Sequence, residues 1–509
     1  MTKGIRRVGA MLAALLTAFC TPQLAAALPD RASTPLRSVA PDLVLTGEIG
    51  PQDKLTFHDV PFAVPQGVVR ISVEFDYTER DKHTVIDLGI SDPDGVRGWS
   101  GSNKSSFTLS RTDATPSYLP GAIHAGTWKL NLSVSAIRPD VHARYTARVW
   151  FWRHGDIPGV STFSAAPLKT GAHWYRGDLH MHTAHSDGSC ASLTGRPVPC
   201  PLYHTAEAAV AHGLDFIALS DHNTGSHYDA VRELQPAFDT LLMIPAVEVT
   251  TFQGHANVFG TTEPVDARLG GPTVPNVGAI LDQVHDLHAL ISINHPTSPT
   301  DETCRGCGWS APDTDWSKVQ SIEVLNAGEL WGAMGDARVK RPGVAFWRDL
   351  LNEGHHLTGV GGSDNHDVEL GRLGVGFPTT VVYAPELSER AVLDAIRAGH
   401  VFIDARGSRD GLLELTAQGP SGRAMMGDTL AAPAGANLQL SVHVAHAKGG
   451  RITLERDGAP LTLPDAVIAS DDEVKTLQLA ADGKSHWISA DVSIGGRPVL
   501  IGNPIYLAP

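Results

Sequence analysis

Between Gly177 and Gly188 the chain reads GDLHMHTAHSDG, and its polar residues are of the kinds that bind cations. Asp178, His180 and His182 alternate with Leu179 and Met181, a strand-like period that would put a carboxylate and two imidazoles on one face. Imidazoles at i and i+2 can reach one cation, and the SDG turn after them brings Asp187 close. Similar residues end later apolar runs. Asp221-His222-Asn223 follows FIALS, Glu248 lies in MIPAVEVTT with His255 on the hairpin partner after it, Asn294-His295-Pro296 follows ALISI, and Asp364-Asn365-His366 follows GVGGS. Each motif alone could be a solvated strand end. Crowding so many imidazoles and carboxylates together without cations would be costly, so the run ends point to one shared metal site. A nitrogen and oxygen donor set without cysteine suits Zn²⁺, Mn²⁺ or Fe. Cations held this way acidify water and offset charge on a substrate oxygen, which is the chemistry of ester hydrolysis.

The elements that must position these residues can be read from periodicity. Strands are expected at 176–182, 214–220, 243–250, 290–294, 319–325, 356–362 and 377–383, with a short run at 255–260. Helices are expected at 205–213, 227–236, 277–289, 343–353 and 388–398. The fold class is therefore α/β, and the alternation over 166–404 predicts a barrel whose C-terminal strand ends converge on one mouth. An open doubly wound sheet is the alternative, but the chain lacks the Gly-rich phosphate loop that would argue for it. Runs such as VVRISVEFDY, GTWKLNLSVSA and RYTARVWFW predict a β-sandwich domain, with its linkers, over 28–165. LQLSVHVAHA, ITLER and HWISADVSI predict a second sandwich-like domain over 405–509.

Taken in order, GDLHMHT with SDG, LSDHN, a Glu leading into a His, NHP and GSDNH resemble the motifs of the PHP (polymerase and histidinol phosphatase) superfamily. The resemblance covers about residues 173–404, and with the flanking sandwiches it is greatest to the CehA/McbA-type branch of exported metallohydrolases. It implies a distorted (βα)7 barrel holding two or three divalent metal ions. By motif, it implies that His180, His182, Glu248 and Asp364 hold one metal, and that Glu248 bridges to a second completed by His255 and His295. Asp187, His222 and His366 would hold a third, with Asp187 preferred to His185 on the SDG match. His222 is read as a ligand, the alternative being a proton donor to the leaving group. Asp178 and Asp221 are expected to orient neighbouring imidazoles. Arg176 and Arg372 are candidate phosphate contacts, and Asn326, which ends IEVLN, is a candidate contact at the mouth. Arg305, Arg338 and Lys340 lie in the insertions after the fourth and fifth strands, and the insertion 297–318 could be a lid or a surface loop. His227 is among the histidines given no role.

With 509 residues the chain is long enough for about three domains. A net charge of -15, with no basic run beyond the N-terminus, argues against nucleic acid as a partner. Lys3, Arg6 and Arg7, the apolar run Val8 to Phe19 and the Ala25-Ala26-Ala27 site read as a secretory signal over 1–27. That run is too short to span a bilayer, so the expectation is a periplasmic or secreted protein without stable membrane insertion. In an oxidising compartment the even count favours Cys190–Cys200 and Cys304–Cys307 as short-range disulfides, with the cross-pairings the alternative. The leading function is hydrolysis of a small-molecule phosphate ester, mono- or diester. Hydrolysis of a carbamate or carboxylic ester is the alternative that the CehA/McbA resemblance implies, and a non-catalytic, glycan-binding envelope protein is the third reading.

Overall fold

A computed structural model describes residues 39–154, 156, 163–164, 166–300, 307–327, 343–368 and 374–509. In Gly126–Ala136, Trp128, Leu130, Leu132 and Val134 are buried while most of their neighbours reach solvent, the alternation of a strand with one wet face. Strands of this kind form two four-stranded antiparallel sheets. One contains Leu43–Ile49, Ala143–Arg153, Val68–Tyr77 and Ser106–Ser110. The other contains Phe57–Val64, Gly126–Ala136, Val85–Asp92 and Gly95–Gly101, and the two share one apolar core.

The central sheet positions the site. Its strands, in chain order, are β1 (Lys169–Asp178), β2 (Phe216–Leu219), β3 (Leu242–Thr251), β4 (Gly254–Phe259), β5 (Leu290–Ile293), β6 (Ser321–Asn326), β7 (Thr358–Gly362), β8 (Thr379–Leu387) and β9 (Val401–Asp404). They lie side by side in the order β7-β6-β5-β4-β3-β2-β1-β8-β9. The helices are α1 (Leu202–His212), α2 (Tyr228–Leu234), α3 (Val277–Asp286), α4 (Gly343–Asn352) and α5 (Glu389–Ala398). FIAL in β2 and LISI in β5 are buried at every position, as expected of strands covered on both faces.

The expected (βα)7 alternation does not hold, because the sheet is mixed. The run at 255–260 returns antiparallel to β3, and β8 runs antiparallel to β1. Only Phe252 and Gln253 separate β3 from β4, which is enough for a hairpin and far too little for a crossover. The sheet also curls without a continuous ladder. Thr380 Oγ1 on β8 accepts from Gly361 N (2.8 Å) and donates to Gly361 O (2.7 Å) on β7, while Met181 meets Asn365 in an isolated bridge. β1 ends at Asp178, so His180 and His182 stand beyond the strand that was expected to carry them.

Around this sheet, Arg497–Gly502 pairs with β9 and continues it through His486–Ile494 and Arg451–Arg456. Leu412–Gly419, Gly422–Met425, Asn437–Ala445 and Asp472–Ala480 form a separate four-stranded sheet. The N-terminal sheets are tied to the centre by buried charge: Asp113 accepts from Arg70 Nη1 (3.0 Å) and from Arg232 Nε on α2 (2.6 Å), and Arg70 Nη2 donates to Thr262 Oγ1 (2.7 Å).

The expected Cys190–Cys200 disulfide is absent, and both thiols are free and buried. The hairpin register sets Cys190 opposite Val198 rather than Cys200, and Cys200 N is held instead by Gly188 O at 2.8 Å. Cys307 is disulfide-bonded, whereas Cys304, Arg305, Arg338, Lys340, Arg372 and the 1–27 segment lie outside the described residues. Among those residues no helix is long and apolar enough to cross a membrane.

Candidate metal centre

The ends of β1, β2, β3, β5 and β7, with β4 alongside, bring nine side chains together. Their ligand atoms fall into four overlapping groups, each with all its atoms within 4.8 Å of one another. These are His182, Asp187, His222 and His366; His180, His182 and Glu248; His180, His295 and Asp364; and Glu248, His255 and His295. His180, His182, Glu248, His255 and His295 are buried, while Asp187 and His366 form the open side, His366 with 40% of its side chain exposed.

Glu248 stands at the centre. Its Oε1 lies 3.3 Å from His180 Nε2, 3.4 Å from His255 Nδ1 and 3.5 Å from His295 Nε2. Its Oε2 lies 2.8 Å from His222 Nδ1 and 3.5 Å from His182 Nε2. Asp364 Oδ1 is 3.2 Å from the Nε2 of both His180 and His182. Asp187 Oδ1 is 3.3 Å from His366 Nε2, 3.7 Å from His222 Nε2 and 4.0 Å from His182 Nδ1. His182 therefore stands between the first expected set and the third.

Proximity moves protons. Burial alone would push His295 down, yet Glu248, Asp364 and Glu323 raise it to about 9. His366 also rises to about 9 against burial, because Asp187 and Asp364 face it. Burial opposes a charge on His180 too, but Asp364, Glu248 and Glu323 hold it well above the ordinary imidazole range. Burial wins at His182, which is lowered. Asp187 falls to about 2 through its bond to His366. Glu248 and Asp364 stay well below the usual carboxylate range despite burial, held there by the imidazoles around them. In the metal-free cluster, protons on the imidazoles thus supply the positive charge that the carboxylates need.

The backbone is held hard around this site. Asp178 does not orient an imidazole: its carboxylate accepts from the backbone N–H groups of His180 (3.2 Å), Ser363 (3.0 Å) and Gly376 (2.7 Å). Asp221 likewise does not reach the His222 ring. It accepts from Thr183 N and Thr183 Oγ1 (both 2.8 Å) and from Ser186 Oγ (2.6 Å), organising the turn that carries Asp187. Its imidazole neighbour is buried His227, 3.4 Å away. His295 and Asp364 have φ of +26° and +51°, strained values for residues with a Cβ, of the kind that accumulate at functional sites.

Arg176 is not a substrate contact. Its guanidinium is turned inward, bonding Asp404 Oδ2 at 2.7 Å and Gly411 O at 3.1 Å. Asn326 is buried beside the cluster, its Nδ2 3.3 Å from Glu323 Oε2 and 3.5 Å from Asp364 Oδ2. The described part of the 297–318 insertion packs against the β3–β4 turn, with Ser310 N on Gln253 O at 2.7 Å. It also sets the His295 ring, whose Nδ1 is 3.0 Å from Cys307 O.

Sequence reasoning missed Glu323, Thr250 (Oγ1 2.7 Å from His222 Nδ1) and the role of Asn294, whose Nδ2 donates to Glu248 Oε1 at 2.9 Å. For Glu323 a signal existed: it is the carboxylate in SIEVLN, a run buried at all six positions.

No family model matches the chain, and neither does any curated protein. Among solved structures it is similar to a two-domain protein from Bacteroides vulgatus containing a predicted PHP-like metal-dependent phosphoesterase. That match has 16% identity and a TM-score of 0.35, and covers 67% of this chain and 96% of that one. A proposed metal-dependent phosphoesterase from Bifidobacterium adolescentis matches at 14% identity and a TM-score of 0.28, covering 43% of this chain and 94% of that one.

Proposed function

We propose that this chain is an exported, metal-dependent hydrolase of small-molecule phosphate esters. The observation that carries the reading is the overlap of four ligand groups, three of which contain Glu248 or Asp364 while the fourth joins them through His182. The donors fit cations. His255 Nε2 is buried without a hydrogen-bond partner, and such an atom is costly unless something satisfies it. His180, His182, Glu248 and Asp364 would hold one cation, with Glu248 shared with a second at His255 and His295. Asp187, His222 and His366 would hold a third on the open side. Zn²⁺, Mn²⁺ and Fe all suit these donors.

When bound, such cations supply Lewis acidity, acidifying water and offsetting charge on the substrate oxygen. The protein's part is to arrange the donors. Glu248 faces two groups at once, Thr250 and Asn294 hold His222 and Glu248 in place, and Asp221 fixes the turn that presents Asp187 at the entrance. The half-exposed His366 and Asp187 mark the side from which an ester can enter.

The test is to purify the protein without chelator, measure its metal content, and assay a phosphodiester, a phosphomonoester and an aryl N-methylcarbamate with each metal. At least two equivalents of metal and turnover of a phosphate ester are expected. Turnover of the carbamate alone would move the reading to carbamate hydrolysis, and protein without metal would remove it.

A further inference from the structure

Glu323 lies behind the metal-facing residues, on the far edge of the His180 ring. It is 2% exposed and sits in β6, where the pairing with β7 slips between Glu323 and Leu325. Three donors converge on its carboxylate. His180 Nδ1 is 3.3 Å from Oε1, while His295 N (2.8 Å) and Asn326 Nδ2 (3.3 Å) donate to Oε2. The other ring nitrogen, His180 Nε2, faces Glu248 Oε1 (3.3 Å) and Asp364 Oδ1 (3.2 Å). The two nitrogens of an imidazole point to opposite edges of the ring, so Glu323 cannot reach a cation bound at Nε2. The space it occupies is cleared by Gly362, where a Cβ would lie 2.1 Å from Glu323 Oε1 and 2.6 Å from His180 Cβ.

We propose that Glu323 is a positioning residue that sets the metal affinity of the cluster, by accepting a hydrogen bond from His180 Nδ1–H and anchoring the backbone of His295. The inference rests on the metal-dependent reading of the site. With Nδ1–H held by a carboxylate, His180 keeps its Nε2 lone pair free and more basic towards a cation. The bond to His295 N pins that residue at its positive φ. Only a carboxylate can accept from all three donors. A glutamine keeps the shape but turns an NH₂ group towards one of them.

The test is a metal titration of chelator-stripped protein, in competition with a chromophoric chelator, using Zn²⁺ and Mn²⁺ as probes. Glu323→Gln is expected to weaken at least one equivalent by about ten- to a hundredfold, with turnover returning at saturating metal. Glu323→Asp, which keeps the carboxylate, should recover part of the affinity, and it serves as the folded comparison if the Gln variant does not fold. In a His180→Ala background the same Gln substitution should cost much less than it does alone. Unchanged metal affinity in a folded Gln variant would overturn the proposal, as would a loss of the same size in the His180→Ala background. Titration reads affinity without turnover. A wild type that binds metal but cleaves no ester therefore refutes the hydrolase reading and leaves the role of Glu323 standing.

Discussion

Loading the cluster with metal should be steeply pH-dependent, and the structure fixes the sign. Without cations, His295 is held at about 9 by Glu248, Asp364 and Glu323, which outweigh its burial. At neutral pH it carries a proton that Nε2 must lose before it can donate to a cation. Each proton displaced makes the apparent dissociation constant fall about tenfold per pH unit, up to the pKa of the group. From pH 7 to 9, His295 alone accounts for about a hundredfold, or ~2.7 kcal/mol. The stability of the stripped protein should move the other way. A folded pKa of about 9 against 6.5 means that the contribution of His295 is complete below pH 6.5 and disappears as pH rises through 9, a loss of about 3 kcal/mol. His366 adds the same sign with a smaller weight, because water screens its exposed ring. The assay is metal titration of stripped protein at pH 6, 7, 8 and 9, in buffers of different ionisation enthalpy so that calorimetry counts the protons released. Affinity independent of pH between 7 and 9, with no protons released, would refute the charge balance drawn for this cluster.

Other outcomes depend on single contacts. His180→Ala and Asp364→Ala should each abolish turnover while circular dichroism stays native, since each removes a donor from a site whose backbone is held elsewhere. Asp113→Asn leaves Arg70 and Arg232 buried without their shared carboxylate, and should cost about 3–5 kcal/mol in urea unfolding. Arg176→Leu should lower stability, because it strands Asp404, and should leave KM unchanged. A raised KM at native stability would return Arg176 to the substrate.

That these nine residues cluster was legible in the sequence because each is reported by its own short segment. A histidine or carboxylate closing an apolar run is a local signal, and SDG, LSDHN, NHP and GSDNH all survive being read separately. What failed was reasoning about partners. Arg176 looked like a mouth residue because it precedes the motif, but its partner Asp404 is more than two hundred residues away. Asp178 and Asp221 carry the right side chains, yet those carboxylates are spent on backbone N–H groups and hydroxyls that no spacing rule places. The hairpin that returns from the third strand and carries His255 was legible, and the structure has it. The antiparallel pairing of β8 with β1 was not, because it joins segments about two hundred residues apart that no local pattern relates.

The same distinction explains how so charged a cluster can be built at all. Facing carboxylates and imidazoles in a buried site would drift apart or collapse if side-chain packing alone held them. Here the carboxylates behind them fasten the backbone instead. Asp178 ties His180 to Ser363 and Gly376, Glu323 ties His180 to His295, and Asp221 ties Thr183 to Ser186. Each of these acids joins segments distant in sequence or sets the turn beside a donor, so the donors keep their places whether protons or cations balance the charge. Positive φ at His295 and Asp364 is the strain that such fastening can sustain. Removing a metal-facing donor should therefore empty a site and leave the fold, whereas removing one of the acids behind should loosen several donors together.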